Sequence, residues 1–286
     1  MKRLQMLAPA AAILGATGAL AQEANEFGWH SEVAGKPVPG GLHWQRPVTP
    51  VMEDLVWLET FMNYIIFGIT ALVLVLLAIV IVRFNRKTNP RPATFTHNAP
   101  LEVAWTALPV VILIVIAIPS LKLLFQQLQV PEPDLTIKAT GSQWFWTYEY
   151  PEEQIEFASI MLERDELEEY GYTPDEYLLA TDTRVVVPVD KTVHVLTTAT
   201  DVIHAWAIPS FGAKIDSMPG RLNETWFRAT EPGVYFGQCS ELCGLRHSYM
   251  PIVVEVVEQA EYDAWISEMQ ASNGTGGVAT RLAASQ

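Results

Sequence analysis

Two long apolar runs dominate the first half of the chain, and short alternating runs dominate the second. The apolar runs extend from about Phe61 to Val82 and from about Val103 to Phe125. Each supplies the ~20 residues that an α-helix needs to cross a bilayer. Pro109 and Pro119 fall inside the second run, where neighbouring helices can satisfy the freed carbonyls. From about residue 131 the pattern changes to runs bounded by Pro, Gly and Asp. Leu135–Thr140, Trp144–Tyr150, Arg184–Val189, Thr192–Thr198, Asn223–Ala229, Gly233–Gly237 and Pro251–Val257 all predict strands. Such a series predicts an all-β sandwich or Greek-key barrel. Residues 259–270 predict a short helix, and the Gly, Ser, Thr and Ala tail at 271–286 predicts disorder.

The N-terminus carries a different pattern. Lys2 and Arg3 precede an apolar run that ends in Ala19, Leu20 and Ala21. A basic start, a short hydrophobic stretch and a small-x-small site predict a secretory signal at residues 1–21. Residues 22–55 predict an extended, solvent-exposed arm, rich in Gly and Pro. The hairpin follows at 56–130, with a connecting loop at 84–102; Arg83, Arg86, Lys87 and Arg91 lie between the two apolar runs. Positive residues concentrate on the cytoplasmic side of membranes. The hairpin is therefore expected to turn in the cytoplasm, leaving the N-terminus and residues 131–270 outside. Two helices make a thin bundle, so a larger membrane partner is expected beside the lipid bilayer. Glu102 stands at the cytoplasmic mouth of the second helix. From chemistry alone it reads as a first-turn carboxylate favoured by the helix dipole, with Asn98 as cap.

Charge and ligand chemistry sharpen this picture. The 286 residues carry a formal net charge of −14, which argues against nucleic acid and points to a basic partner wherever the charge clusters. One cluster is residues 152–177, where Glu152, Glu163, Glu166, Asp175 and further carboxylates face a lone Arg164. It reads as a solvated helical insertion, and beside a binding site its field would steer a cationic partner. Both cysteines of the chain, Cys239 and Cys243, lie in a twelve-residue stretch that also holds His247 and Met250. Two thiolates, an imidazole and a thioether form a soft set that suits copper. Two cysteines in an exported chain also fit a disulfide, and a tetrahedral zinc site fits by ligand type. The spacing, with each soft ligand used once, favours copper. Two thiolates on one loop can bridge a metal pair. His204 is the strongest candidate for a second histidine, and the Glu241 carbonyl for a weak ligand, its side chain free to reach a hard cation such as Mg²⁺.

The combined pattern resembles subunit II of the haem–copper cytochrome c oxidases, in the bacterial aa3-type branch. The resemblance covers roughly residues 45–270. It rests on the hairpin, on Thr94–Asn98, Trp144–Trp146, Asp201–Trp206 and Pro219–Arg221, and on the loop Cys239–Met250. It implies a cupredoxin-like β-domain holding a binuclear copper centre, CuA. Cys239 and Cys243 would bridge the two coppers, with His204 and Met250 completing one and His247 and the Glu241 carbonyl the other. The Glu241 carboxylate would reach a Mg²⁺ shared with subunit I. Trp144 would admit electrons from cytochrome c, which Glu149, Asp182 and Asp201 would help to dock. Glu102 would stand at the entrance of a proton channel. The family's setting is a proton-pumping oxidase in the bacterial inner membrane, with the β-domain in the periplasm. A quinol oxidase subunit, the nearest rival, lacks the copper ligands. A membrane-tethered copper chaperone is the rival from another class.

Overall fold

The computed structural model describes residues 33–91 and 93–273. The signal segment 1–21, the arm as far as residue 32 and the tail beyond residue 273 lie outside the described residues. A long helical hairpin leads into a two-sheet β-domain, the architecture expected from the hydrophobic pattern.

Helix α1 spans Pro50–Arg83 and helix α2 spans Ala99–Leu128. Both are longer than the apolar runs. The 34 residues of α1 reach about 50 Å at ~1.5 Å per residue, against ~30 Å of hydrocarbon. Its first turns therefore project beyond the span. They form because Thr49 caps the helix, its Oγ accepting from Met52 N at 3.1 Å, and because Pro50 sits where a missing N–H costs nothing. Val51 and Met52 are buried against the β-domain. Helix α2 opens with a reciprocal cap: Asn98 Oδ1 accepts from Leu101 N at 3.2 Å, and Asn98 N donates to Glu102 Oε1 at 3.0 Å. Nearly every side chain of the two spans is exposed on the isolated chain, as lipid or a membrane partner requires.

Among the described residues, the β-domain and the arm hold eleven strands. One sheet runs β1–β10–β11–β5, from Val33–Gly35, Gly233–Gln238, Pro251–Val257 and Val185–Pro188. The second runs β4–β3–β2–β6–β9, from Ile155–Ser159, Phe145–Tyr150, Leu135–Ser142, Val193–Ala199 and Asn223–Phe227. A hairpin of β7 (His204–Ile208) and β8 (Ala213–Ser217) completes the domain. Alternation in β2 and β3 sends Ile137, Ala139, Trp146, Tyr148 and Tyr150 into the core between the sheets. Helix α3, Gln259–Asn273, packs Tyr262 and Trp265 against that core.

Three expectations change. The arm is not wholly solvent-exposed. Its β1 pairs in parallel with β10, and Val48 and Thr49 are buried. A three-residue edge strand is too short to register in a Gly- and Pro-rich stretch. The acidic insertion is not helical: it contains β4, turns and a single 3₁₀ turn at Pro174–Glu176. Its apolar residues Leu162, Leu167 and Tyr172 form a second core with Leu179, Val234, Phe236 and Val253 on the outer face of the first sheet. Burial of these side chains, and not helix propensity, shapes the segment. Strands β4, β7 and β8 carry weak alternation; β7 is buried along its whole length, so no polar face marks it.

Beneath the insertion, Arg184 and Glu255 form a buried ion pair at 3.3 Å, and Arg184 Nε donates to Tyr172 OH at 2.8 Å. Removing the anion strands a cation away from water. Glu255→Ala is expected to destabilise the domain by roughly 3–5 kcal/mol. It should lower the unfolding temperature of the detergent-solubilised chain, and an unchanged melt contradicts this role.

Candidate metal centre

Antiparallel strands β10 and β11 pair up to Gln238 opposite Pro251. The stretch 239–250 is therefore the tip of a hairpin whose two ends are held by the first sheet. Ser240 N donates to Ala205 O at 3.1 Å, which ties the tip to β7. The close approach of β10 to β7 demands glycine at 237, because a Cβ there would lie 2.0 Å from Ala207 O.

At the tip the two cysteines are free, with Sγ atoms 3.9 Å apart. That is well beyond the ~2.05 Å of a disulfide. Cys239 Sγ lies 3.9 Å from His204 Nδ1 and donates to the Glu241 carbonyl at 3.3 Å. Cys243 Sγ lies 3.5 Å from His247 Nδ1 and 3.5 Å from Met250 Sδ. The ligand atoms of His204, Cys239 and Cys243 all fall within 4.8 Å of one another. All three residues are buried, as is Met250. Six donors thus gather around one sulfur pair: two thiols, two imidazoles, a thioether and a carbonyl. That exceeds the four of tetrahedral zinc and fits a soft copper centre.

Electrostatics give the same reading. Burial pushes the Cys239 thiol up, but hydrogen bonding to His204 and the backbone outweighs it and brings the group to about 7. Cys243 is pushed up to about 12 by burial and by the charge on Cys239 beside it. Two adjacent thiolates repel, so the pair ionises together only where a cation neutralises it.

The candidate ligand His204 is anchored from behind. Burial lowers the His204 pKa, but Cys239 and Asp201 outweigh it and the net shift is upward. Asp201 Oδ1 meets His204 Nε2 at 2.9 Å, which leaves Nδ1 aimed at the sulfurs. A carboxylate behind a ligand histidine fixes its tautomer and ring orientation. Asp201 also accepts from Val202 N at 2.6 Å and Gln143 N at 2.7 Å. Burial raises its pKa, but the bonds to His204, Val202 N and Gln143 N outweigh it, and the net shift is downward. Gly141 makes room for the ring, since a Cβ there would stand 2.9 Å from His204 Cδ2.

Trp144 is half-buried, and its indole N–H donates to Cys243 O at 3.2 Å. Trp146 donates to Met250 O at 3.3 Å from inside the core. Sequence reasoning missed Gln143, whose Nε2 donates to Cys243 O at 2.7 Å; only its place before Trp144 could have marked it. The acidic segment does lie beside the tip. Arg246 pairs with Glu163 at 3.7 Å, and Gln238 Nε2 donates to Leu178 O at 3.3 Å. The other sequence candidates stand apart from the sulfur pair. Glu149 pairs with Lys138 across β2 and β3 at 2.6 Å, and Asp182 Oδ1 accepts from Ile160 N at 2.8 Å. Glu102 caps α2 at the far end of the hairpin.

Comparison with known proteins decides the family. The family model described as cytochrome c oxidase subunit II, periplasmic domain, matches residues 135–257, and the corresponding transmembrane-domain model matches residues 37–123. The chain belongs to the cytochrome c oxidase subunit II family. It is 48% identical over 280 residues to cytochrome c oxidase subunit 2 of Cereibacter sphaeroides, covering 93% of this chain and 90% of that one. Against the probable cytochrome c oxidase subunit 2 of Rickettsia felis the identity is 47% over 236 residues, covering 82% and 73%. The crystal structure of the periplasmic domain of subunit II of Bradyrhizobium japonicum cytochrome oxidase is 49% identical. It covers 50% of this chain and 99% of that one, with a TM-score of 0.46. The chain is thus a membrane-bound subunit of an oxidoreductase, with a site chemically fit for copper.

Asp201→Asn is expected to lower copper affinity about 10–100-fold while leaving the fold intact. Competition with a chelator of known affinity measures this, and an unchanged affinity removes Asp201 from the support of the site.

Proposed function

We propose that this subunit II takes electrons singly from cytochrome c at a binuclear copper centre, CuA, and passes them to haem in subunit I. There they reduce O₂ to water, coupled to proton pumping. The observation that carries this reading is the six-donor cluster around a free cysteine pair 3.9 Å apart. Cys239 and Cys243 would bridge the metals, His204 and Met250 would complete one, and His247 and the Glu241 carbonyl the other. When bound, the copper pair supplies a one-electron store with little change of shape on reduction.

The chain's own residues do the positioning. The β10–β11 hairpin fixes the spacing of the sulfurs, and Asp201 holds the His204 ring. Burial of Met250 and His204 keeps water from the ligands. Trp144 is the proposed electron inlet, because its half-buried indole is hydrogen-bonded directly to the backbone of a ligand cysteine. The basic face of cytochrome c would be drawn by the acidic segment beside the tip. Glu149, Asp182 and Asp201 remain docking candidates. Each already holds a partner inside the fold, so they would contribute through field more than through new ion pairs. The Glu241 carboxylate, with no ion pair among the described residues, is available for a Mg²⁺ shared with subunit I.

In this reading the chain spans the bacterial inner membrane. Its basic connecting loop lies in the cytoplasm and its β-domain in the periplasm, after export by the signal at residues 1–21. Glu102 would then face the cytoplasmic side, at the entrance of a proton channel of subunit I, while capping α2.

Trp144→Phe is expected to slow electron uptake from reduced cytochrome c several-fold in rapid mixing, with copper content and spectrum unchanged. Unchanged uptake contradicts the inlet.

A further inference from the structure

Helices α1 and α2 do not close on each other at the end nearest the β-domain. A cleft of about 610 Å³ opens there, a volume typical of small-molecule sites. From α1 its walls include Asp54, Trp57 and Phe61, and from α2 Val115, Lys122 and Gln126. The spacings of three, four and seven place each set along one helix face. The two facing stripes therefore enclose space where they would otherwise interdigitate. Pro119 also lines the cleft, and its ring supplies neither a backbone donor nor a long side chain to fill it.

The cleft is graded along the helix axes. Asp54 and Gln126 stand at the domain end, with Lys122 one turn below Gln126. Phe61 and Val115 lie deeper, at the start of the apolar run. From Asp54 to Phe61 is about 10 Å of helix, the distance from headgroup level into hydrocarbon. Trp57 stacks flat on Phe61, with centroids 5.6 Å apart and planes at 4°, which gives a smooth apolar wall at the depth where aromatic belts form. Asp54 and Lys122 make no ion pair with each other or with any other side chain among the described residues. One anion and one cation, both unpaired, thus border an apolar slot at the membrane boundary.

We propose that this cleft is a site for one phospholipid with an amine-bearing headgroup. Its phosphate rests on the Lys122 ammonium and its amine on the Asp54 carboxylate. One acyl chain follows Phe61 and Val115 into the membrane. The two charges match a zwitterion in sign and order, whereas phosphatidylglycerol, with its phosphate on Lys122, brings only a neutral glycerol to Asp54 and leaves that carboxylate without a counter-charge. The site rests on the membrane-spanning hairpin alone and is independent of the copper centre.

Native mass spectrometry of the assembled oxidase tests this, with phosphatidylethanolamine or phosphatidylglycerol titrated into lipid-stripped enzyme. The wild type is expected to retain one tightly held phosphatidylethanolamine at this subunit. Lys122→Gln should reduce retention about tenfold, the scale of one hydrogen bond to a charged group. Asp54→Asn should abolish the preference for phosphatidylethanolamine over phosphatidylglycerol. Acyl-brominated phosphatidylethanolamine should also quench a tryptophan signal that disappears in Trp57→Phe. Equal retention by wild type and Lys122→Gln overturns the proposal. So does retention without headgroup preference, which marks an adventitious additive only, or absence of quenching because a helix of another subunit fills the cleft.

Discussion

The rest of the β-domain depends on holding two thiol sulfurs 3.9 Å apart in a buried site. Left alone, such a pair resists double ionisation: burial and the neighbouring charge keep Cys243 near 12 while Cys239 falls to about 7. A sheet-anchored hairpin tip sets the spacing against that repulsion. The strands on either side of the tip are paired to their last residue. Glycine at 237 lets β10 approach β7, and glycine at 141 leaves room for the His204 ring. Backbone carbonyls of the tip are also occupied from outside, by Gln143 and Trp144 on Cys243 and by Trp146 on Met250. The surrounding fold thus holds the tip from several sides, and such preorganisation would limit reorganisation in the proposed electron transfer.

The same domain is joined firmly to the membrane hairpin. Val48 donates to Ser210 O at 3.2 Å and accepts from Thr230 N at 2.9 Å, while Thr49 Oγ donates to Phe211 O at 2.8 Å. At the other helix, Trp226 Nε1 donates to Gln126 O at 3.2 Å. Both helix ends are therefore stitched to strands or turns of the β-domain, and the height of the sulfur pair above the membrane is fixed by hydrogen bonds. Electron transfer to a partner subunit is steeply sensitive to distance, so a fixed height serves the proposed role. The cleft between the helices lies directly below this joint, and a bound lipid would fill the space that the two helices leave there.

Much of this was legible in the sequence, where a single physical signal dominated. The two spans followed from unbroken apolar runs, and seven strands from alternation between faces. The candidate metal loop stood out because Cys239, Cys243, His247 and Met250 crowd soft side chains into twelve residues. Other features depended on tertiary contacts. The first turns of α1 interleave Glu53, Asp54 and Glu59 with apolar residues, which breaks the apolar run, and Val51 and Met52 are buried by the β-domain. The insertion looked helical because its carboxylates hide the spaced apolar residues Leu162, Leu167 and Tyr172, whose partners lie some seventy residues away in β10 and β11. Asp201 shows the limit most clearly. The resemblance implies a docking role for it, but only the fold shows that its oxygens also hold His204 and the backbone of Gln143 and Val202.

The copper stoichiometry and electron spin resonance spectrum of the reconstituted full-length chain test the central claim most directly. Two coppers per chain sharing one unpaired electron over both nuclei are the result expected from a bridging cysteine pair. A single copper, a zinc ion, or a metal-free chain lighter by two hydrogens from a Cys239–Cys243 disulfide would contradict it.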